Sequence, residues 1–99
     1  MLLQLLKISG ISLYPVYRDG DFVLISKIPI LVNGIHPGDV VVFEHHRFGK
    51  LIKLVERLED GGRSLFVVGL DAESVDSRTF GNVPVNWVLG KVIWHISKK

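Results

Sequence analysis

The 99-residue chain contains no cysteine, which excludes disulfide bonds, thiolate metal ligands and a cysteine nucleophile. Any chemistry must therefore come from hydroxyl, carboxylate, imidazole or amine groups. Neither sign of charge dominates, because 12 Lys and Arg residues are balanced by 10 Asp and Glu residues, for a net charge of +2. The basic residues are scattered among the acidic ones, and this pattern predicts no nucleic-acid partner.

Long apolar runs are also missing from the sequence. The amino end is apolar over residues 1–6, but the run stops at Lys7, far short of the roughly 20 residues that a membrane-spanning helix requires. This segment also lacks the basic front and the small-residue exit of a secretory signal. We therefore expect no transmembrane helix in this chain, and a location in the cytoplasm or at a membrane surface that the N-terminal apolar segment contacts.

The dominant pattern in the sequence is that of β-strands. Short runs rich in Val, Ile, Leu and Phe recur between Gly, Pro, Asn and Asp residues, which favour turns. The predicted strands cover residues 2–8, 21–27, 39–44, 50–58, 64–68 and 87–95. Asp60-Gly61-Gly62 separates the fourth from the fifth, which predicts a hairpin. No segment has a sustained helical periodicity. The sequence thus predicts one all-β domain over residues 1–99, a small coiled, partly closed β-barrel, since closure removes exposed strand edges.

The first candidate for chemistry is the segment Ser9-Gly-Ile-Ser-Leu-Tyr-Pro15. Gly10 lies two positions before Ser12 and Pro15 lies three after it, which allows a tight turn that exposes the Ser12 hydroxyl between two strands. The alternative interpretation is a serine that caps an ordinary turn.

The second candidate is Lys53, which lies inside an apolar run of a predicted strand, between Ile52 and Leu54. A low-dielectric site disfavours an ammonium group, so the pKa of Lys53 should fall and a neutral amine becomes available to take a proton from a serine. The alternative is a solvated lysine on an alternating strand, where Leu51, Lys53 and Val55 share one face.

The third candidate combines Ser74, Asp76 and Arg78, which occupy alternate positions. On an extended segment these side chains would project from one side and could bond to one another. The alternative is a surface loop held by an Asp76–Arg78 ion pair that contributes little to stability.

No metal site or cofactor is predicted, because His45 and His46 are adjacent and would face opposite sides of a strand.

The order of these segments resembles that of the bacterial type I signal peptidases. That family carries Ser-Met-x-Pro, Gly-Asp-x-Val, Gly-Asp-Val-Val-x-Phe, a Lys-Arg-Val strand and Ser-x-Asp-Ser-Arg-x-x-Gly-x-Val-Pro. This chain has, in the same order, Ser12-Leu-Tyr-Pro15, Gly20-Asp-Phe-Val23, Gly38-Asp-Val-Val-Val-Phe43, Lys53-Leu-Val55 and Ser74-Val-Asp-Ser-Arg-Thr-Phe-Gly-Asn-Val-Pro84. It departs from the family at Leu13 and Leu54, where Met and Arg are usual, and residues 69–74 are one residue shorter than the usual segment. The family's large inserted domain and its membrane anchors are not found in this sequence.

The resemblance implies a role for each of the candidate residues. Ser12 would be the nucleophile and Lys53 the general base, while the Ser74 hydroxyl would help to hold the lysine amine. Asp76 and Arg78 would brace the loop that carries Ser74.

For the oxyanion, the resemblance implies the backbone N–H of Ser12 as a donor. Gly10 lies where some relatives have a hydroxyl residue, so the backbone donor would carry more of that task.

The function implied is that of a serine endopeptidase that removes an N-terminal leader or signal segment from a protein substrate. The substrate would bind as an extended strand beside residues 8–11. The short form is similar to the maturation proteases of nickel-type superoxide dismutases, so the precursor of such a dismutase is a candidate client.

Two other functions stay open. A LexA-like self-cleaving regulator also uses a serine and a lysine, but it needs a cleavable segment before the catalytic region, and only 11 residues precede Ser12 here. A catalytically inactive binding module would instead present residues 2–8 as a sheet edge to a partner or a membrane.

Overall fold

A computed structural model of the chain describes residues 3–9, 16–71 and 74–97. Its strands are β1 (Leu3–Lys7), β2 (Phe22–Ser26), β3 (Val40–His45), β4 (Gly49–Glu59), β5 (Ser64–Val68), β6 (Val83–Pro84) and β7 (Val88–Ile96). The described residues also form the short α-helices α1 (Ile28–Asn33) and α2 (Ser77–Phe80), and 3-10 turns cover Asp60–Gly62 and Val85–Trp87. Each of the six predicted strands overlaps one of the observed strands.

The described strands form one antiparallel sheet in the order β1-β2-β7-β3-β4-β5-β6. The prediction of an all-β protein is therefore confirmed. Barrel closure is not found in the strand pairing of the described residues, since β1 bonds to β2 alone and β6 to β5 alone. The short β6 ends at Pro84, which has no N–H with which to extend the ladder.

The predicted hairpin at Asp60-Gly61-Gly62 is confirmed. Strand β4 pairs with β5 in a register that places Glu59 opposite Ser64. All three turn residues have positive φ angles, which glycine adopts without steric cost.

Apolar side chains pack on both faces of the sheet. Val41 and Phe43 of β3 belong to the larger core cluster, whereas Val42, between them, belongs to the second. This separation follows from the alternation of side chains along a strand. The larger cluster consists of Ile35, Val41, Phe43, Val55, Leu65, Val67, Val83 and Val88, and the second of Ile8, Val23, Ile25 and Val42.

Both helices lie where the sequence pattern predicted none, because each is too short to show a helical period. Helix α1 has Pro29 in its first turn, a position that tolerates a missing N–H, and the Ser26 hydroxyl accepts a hydrogen bond from the N–H of Ile28 at 3.1 Å. Helix α2 begins after Asp76, whose carboxylate caps it by accepting from the N–H of Arg78 at 3.0 Å.

Candidate functional site

Lys53 lies near the middle of β4, and the fold buries its side chain. Its Cα is paired with that of Val41 in β3, a residue of the larger core cluster. Lys53 is only 2% exposed, although lysine is among the residues least often found fully buried. The interpretation as a solvated strand lysine is therefore wrong for this position.

The environment of Lys53 shifts its acid–base equilibrium toward the neutral amine. Burial lowers the pKa of Lys53, because a low-dielectric interior disfavours the ammonium form. Attraction to the Asp76 carboxylate opposes this lowering of the pKa, and repulsion from the Arg78 guanidinium adds to it. The net effect is a pKa below the ordinary value, which is what an amine needs to accept a proton near neutral pH.

Asp76 is fully buried and is held by several donors. One carboxylate oxygen, Oδ2, accepts from the N–H of Gly69 at 2.8 Å and from Arg78 Nη2 at 2.6 Å. The other oxygen, Oδ1, accepts from Arg78 N and Nε, each at 3.0 Å. Burial alone would raise the pKa of Asp76, but the hydrogen bonds from Arg78 and Gly69 outweigh it and lower the pKa. The carboxylate therefore stays ionised and supplies a fixed negative charge to Lys53.

The expectation of an extended segment with Ser74, Asp76 and Arg78 on one side is wrong, because α2 begins at Ser77. Asp76 and Arg78 still meet, since a capping carboxylate lies beside the first helical N–H groups. Ser74 is half-buried, and its N–H donates to the carbonyl oxygen of Asp71 at 3.0 Å.

Ser77 attaches this turn to the sheet. Its buried hydroxyl oxygen accepts a hydrogen bond from the N–H of Val67 in β5 at 2.9 Å. Together with the bond from Gly69 to Asp76, this contact fixes the turn against the end of β5, the strand that neighbours the strand of Lys53.

Ser12 and Gly10 lie outside the described residues. The nearest described positions are Ser9 before them and Val16 after them. The structure therefore places Lys53 within electrostatic reach of Asp76 and Arg78, and does not test the position of the predicted nucleophile.

A cleft of about 310 Å³ opens beside Ser9, where the chain leads toward Ser12. The apolar part of its lining comes mainly from β1, β2, β3 and β4. Since three strands separate β1 from β4 in the sheet, the sheet must curve around the face that carries the second core cluster. The lining residues are Leu6, Lys7, Ile8, Ser9, Val23, Val42, Lys50, Leu51 and Ile52.

The sequence did not predict one pair of polar residues, Asp21 and His95. Asp21, which is 2% exposed, accepts a hydrogen bond from His95 at 2.6 Å between Nε2 and Oδ2. The two residues are 74 positions apart, and the pairing of Val23 with His95 between β2 and β7 brings them together. The only local signal was Asp21 itself, in the Gly-Asp block.

A second cluster surrounds His45 at the end of β3. The His45 and His46 rings stack with centroids 4.7 Å apart, which contradicts the expectation that they face opposite sides; β3 ends at His45, so strand alternation does not extend to His46. His45 Nδ1 accepts from the N–H of Arg47 at 3.1 Å, and its ring lies 4.7 Å from that of Phe80 in α2. Burial lowers the pKa of His45, and the nearby His46 and Arg47 lower it further.

No protein-family model matches this chain, and a search of curated proteins finds no match. Within residues 3–9, 16–71 and 74–97, no helix has the length and apolar character needed to cross a membrane. The same residues contain no group of three His, Asp or Glu side chains arranged to hold a metal ion.

Proposed function

We propose that this chain is a serine endopeptidase that removes an N-terminal leader from a client protein, with Ser12 as nucleophile and Lys53 as general base. The observation that carries the proposal is the burial of Lys53 in β4, with its pKa lowered by desolvation. A buried lysine has a cost in folding stability, and such perturbed groups are enriched at functional sites. The five sequence blocks shared with the type I signal peptidases supply the partner serine.

The proposed reaction is acyl transfer. The neutral Lys53 amine removes the Ser12 proton as the hydroxyl oxygen attacks the scissile carbonyl carbon, and the resulting ammonium then protonates the leaving amine. The acyl-enzyme is hydrolysed when Lys53, neutral again, takes a proton from the attacking water. The Ser12 N–H stabilises the oxyanion, and Gly10 adds no donor because glycine has no side-chain hydroxyl.

In this proposal the turn at Asp76 tunes and orients the base. The Asp76 carboxylate, held by Arg78 and Gly69, limits how far burial lowers the pKa of Lys53. The Ser74 hydroxyl helps to hold the Lys53 amine in place.

The proposed fold is that of the coiled catalytic domains of signal peptidases and LexA-like proteins.

The cleft beside Ser9 suits the proposed substrate. Its volume is about 310 Å³, and its lining is mostly apolar, with Lys7, Ser9 and Lys50 as its polar members. Backbone groups beside residues 8–11 would pair with the peptide, and the apolar lining would select its side chains. The precursor of a nickel-type superoxide dismutase is the proposed client.

The proposal is tested by incubating the protein with leader-bearing candidates, that dismutase precursor among them, and measuring intact masses. We expect Ser12→Ala, Lys53→Ala and the double variant to lose similar activity, because groups that act as one unit are grossly non-additive. Lys27→Met, which changes an exposed lysine, is the control and should keep full activity. Substantial cleavage by Ser12→Ala would refute the serine mechanism.

The pH profile tests the base separately. Since Lys53 must be deprotonated, kcat/KM should rise with pH through an apparent pKa well below the unperturbed lysine value of about 10.4. A rise only near that unperturbed value would show that another group, or a solvated lysine, is titrating.

A second candidate function is suggested by β1. This edge strand exposes Leu3 and Leu5 at 47% and 55%, and an unpaired apolar edge can add a partner strand or contact a membrane surface. A binding module of this kind would keep its function in Ser12→Ala, whereas the peptidase would not.

A further inference from the structure

The ring of His45 accepts hydrogen bonds from the turn that joins β3 to β4. Its Nδ1 accepts from the N–H of Arg47 at 3.1 Å and from the N–H of Phe48 at 3.4 Å. Because a ring nitrogen that accepts carries no proton, the neutral ring has its proton on Nε2. A second proton can then bind only at Nδ1. Protonation of His45 therefore removes the acceptor from both N–H groups.

The same ring packs against aromatic side chains of other elements. It is 6% exposed, and its centroid lies 4.7 Å from that of Phe80 in α2 and 5.5 Å from that of Trp87. The ring of Phe48, from the turn itself, lies 5.8 Å from that of Phe80. A charged ring is disfavoured in a shielded site with apolar neighbours. Protonation of His45 therefore also weakens the packing between the turn and α2.

The nearby charges on β3, β4 and their turn set how readily His45 is protonated. Burial lowers the pKa of His45 most, and the charges of His46 and Arg47 lower it further. The His46 ring stacks on that of His45 with centroids 4.7 Å apart, so two protonated rings would repel each other. The first charged residue of β4, Lys50, lies opposite Glu44 of β3.

The other elements that contact the ring present aromatic side chains to it. Helix α2 faces it through Phe80, and the Val85–Trp87 turn faces it through Trp87. Arg78, the charged residue of α2, forms an ion pair with Asp76 at 2.6 Å. The response of this site to acid therefore depends on His45 together with its own turn.

We propose that His45 is a proton-operated latch: in its neutral form it holds the turn of residues 46–48 and α2 together, and its protonation in acid releases both. The turn loses its side-chain acceptor, and Phe80 loses the ring contacts of His45 and Phe48. Helix α2 begins after its cap Asp76, whose charge acts on Lys53. The latch thus transmits acid from β3 to the surroundings of that lysine. This inference does not depend on the proposed peptidase function.

Amide hydrogen exchange of the wild-type protein tests the latch. The reporters are the N–H of Arg47 in the turn and the N–H groups of Val67 and Gly69, which attach the α2 turn to β5. Their protection factors, corrected for the intrinsic pH dependence of exchange, should fall at least about tenfold between about pH 7.5 and about pH 4.5. The N–H of Gly38, bonded to the carbonyl oxygen of Val55, is the internal control and should keep its protection.

Two asparagine variants separate His45 from its neighbour. In His45→Asn the side-chain oxygen is bonded to Cγ, as Nδ1 is, and it accepts from the turn but cannot be protonated. This variant should keep all the reporters protected in acid. His46→Asn, which changes the exposed adjacent histidine, is the matched control and should still lose protection. Its transition should lie at a higher pH, because a charge that opposes protonation of His45 is gone.

Nitrogen-15 NMR of the His45 ring measures the tautomer directly. At about pH 7.5 we expect the proton on Nε2, and a proton on Nδ1 would overturn the latch. Constant protection of the reporters in the wild type would overturn it as well, and so would a folded His45→Asn that loses protection as the wild type does. An equal loss at Gly38 would show unfolding of the whole sheet and would equally refute a local release. If His45→Asn does not fold, the exchange and tautomer measurements on the wild type decide.

Discussion

Replacing Lys53 by Met should remove activity while leaving the fold as stable as before, or more stable. Met has nearly the same length and volume as the lysine stem, so it fills the same space beside Val41 without creating a cavity. Asp76 keeps its hydrogen bonds from Gly69 and Arg78, so the substitution leaves no buried carboxylate without a partner. Replacing a whole buried ion pair by apolar residues of similar volume is often neutral or stabilising by about 1–4 kcal/mol. Because Arg78 still pairs with Asp76 in the variant, loss of the Lys53 amine alone should leave the free energy of unfolding unchanged or raise it toward the lower end of that range.

The sign of the pH dependence follows from the lowered pKa of Lys53. Between the folded-state pKa and the unfolded value of about 10.4, the unfolded chain binds more protons than the folded one, so the free energy of unfolding of the wild type rises with pH. The methionine side chain of the variant has no titratable group and adds no such dependence. The stability advantage of Lys53→Met should therefore be largest below the folded-state pKa and shrink by about 1.4 kcal/mol per pH unit across that window.

Urea denaturation of wild type and Lys53→Met at several pH values between 6 and about 10 measures this difference. Lys27→Met is the control, because Lys27 is exposed and its replacement should change the free energy of unfolding little. Marked destabilisation of Lys53→Met at neutral pH would refute the reasoning, since it would mean that the amine takes part in a favourable structural pair. A stability difference that stays constant with pH would contradict the lowered pKa.

Two further predictions concern stability. Ser77→Ala leaves the buried N–H of Val67 without its acceptor and should lower the free energy of unfolding by about 1–3 kcal/mol, measured by urea denaturation. His45 has a lowered pKa, so the unfolded chain binds the extra proton below about 6.5, and stability should fall with acid by up to about 1.4 kcal/mol per pH unit. His45→Gln should reduce the pH dependence of the free energy of unfolding in this range. An unchanged pH dependence would show that the pKa of His45 is the same in the folded and unfolded states.

The strands and their main hairpin were predictable from sequence because their causes are local. Apolar runs of strand length and the turn residues between them act over a few positions, and Asp60-Gly61-Gly62 adopts positive φ angles as such residues permit. The short helices were not predictable from periodicity, since six and four residues complete one turn or little more. Their causes are single side chains, such as the Asp76 cap.

The sequence by itself determined the all-β class, the strand positions and the placing of Lys53 within an apolar run. The sequence did not decide whether Lys53 is buried or solvated, because strand alternation shows which residues share a face of the sheet but not whether that face is covered. Only the tertiary structure decided the burial of Lys53, through pairing of β4 with β3 and β5 and the docking of the Asp76 turn. It also decided the meeting of Asp21 with His95, because contacts across 74 positions depend on strand order, which no local pattern encodes.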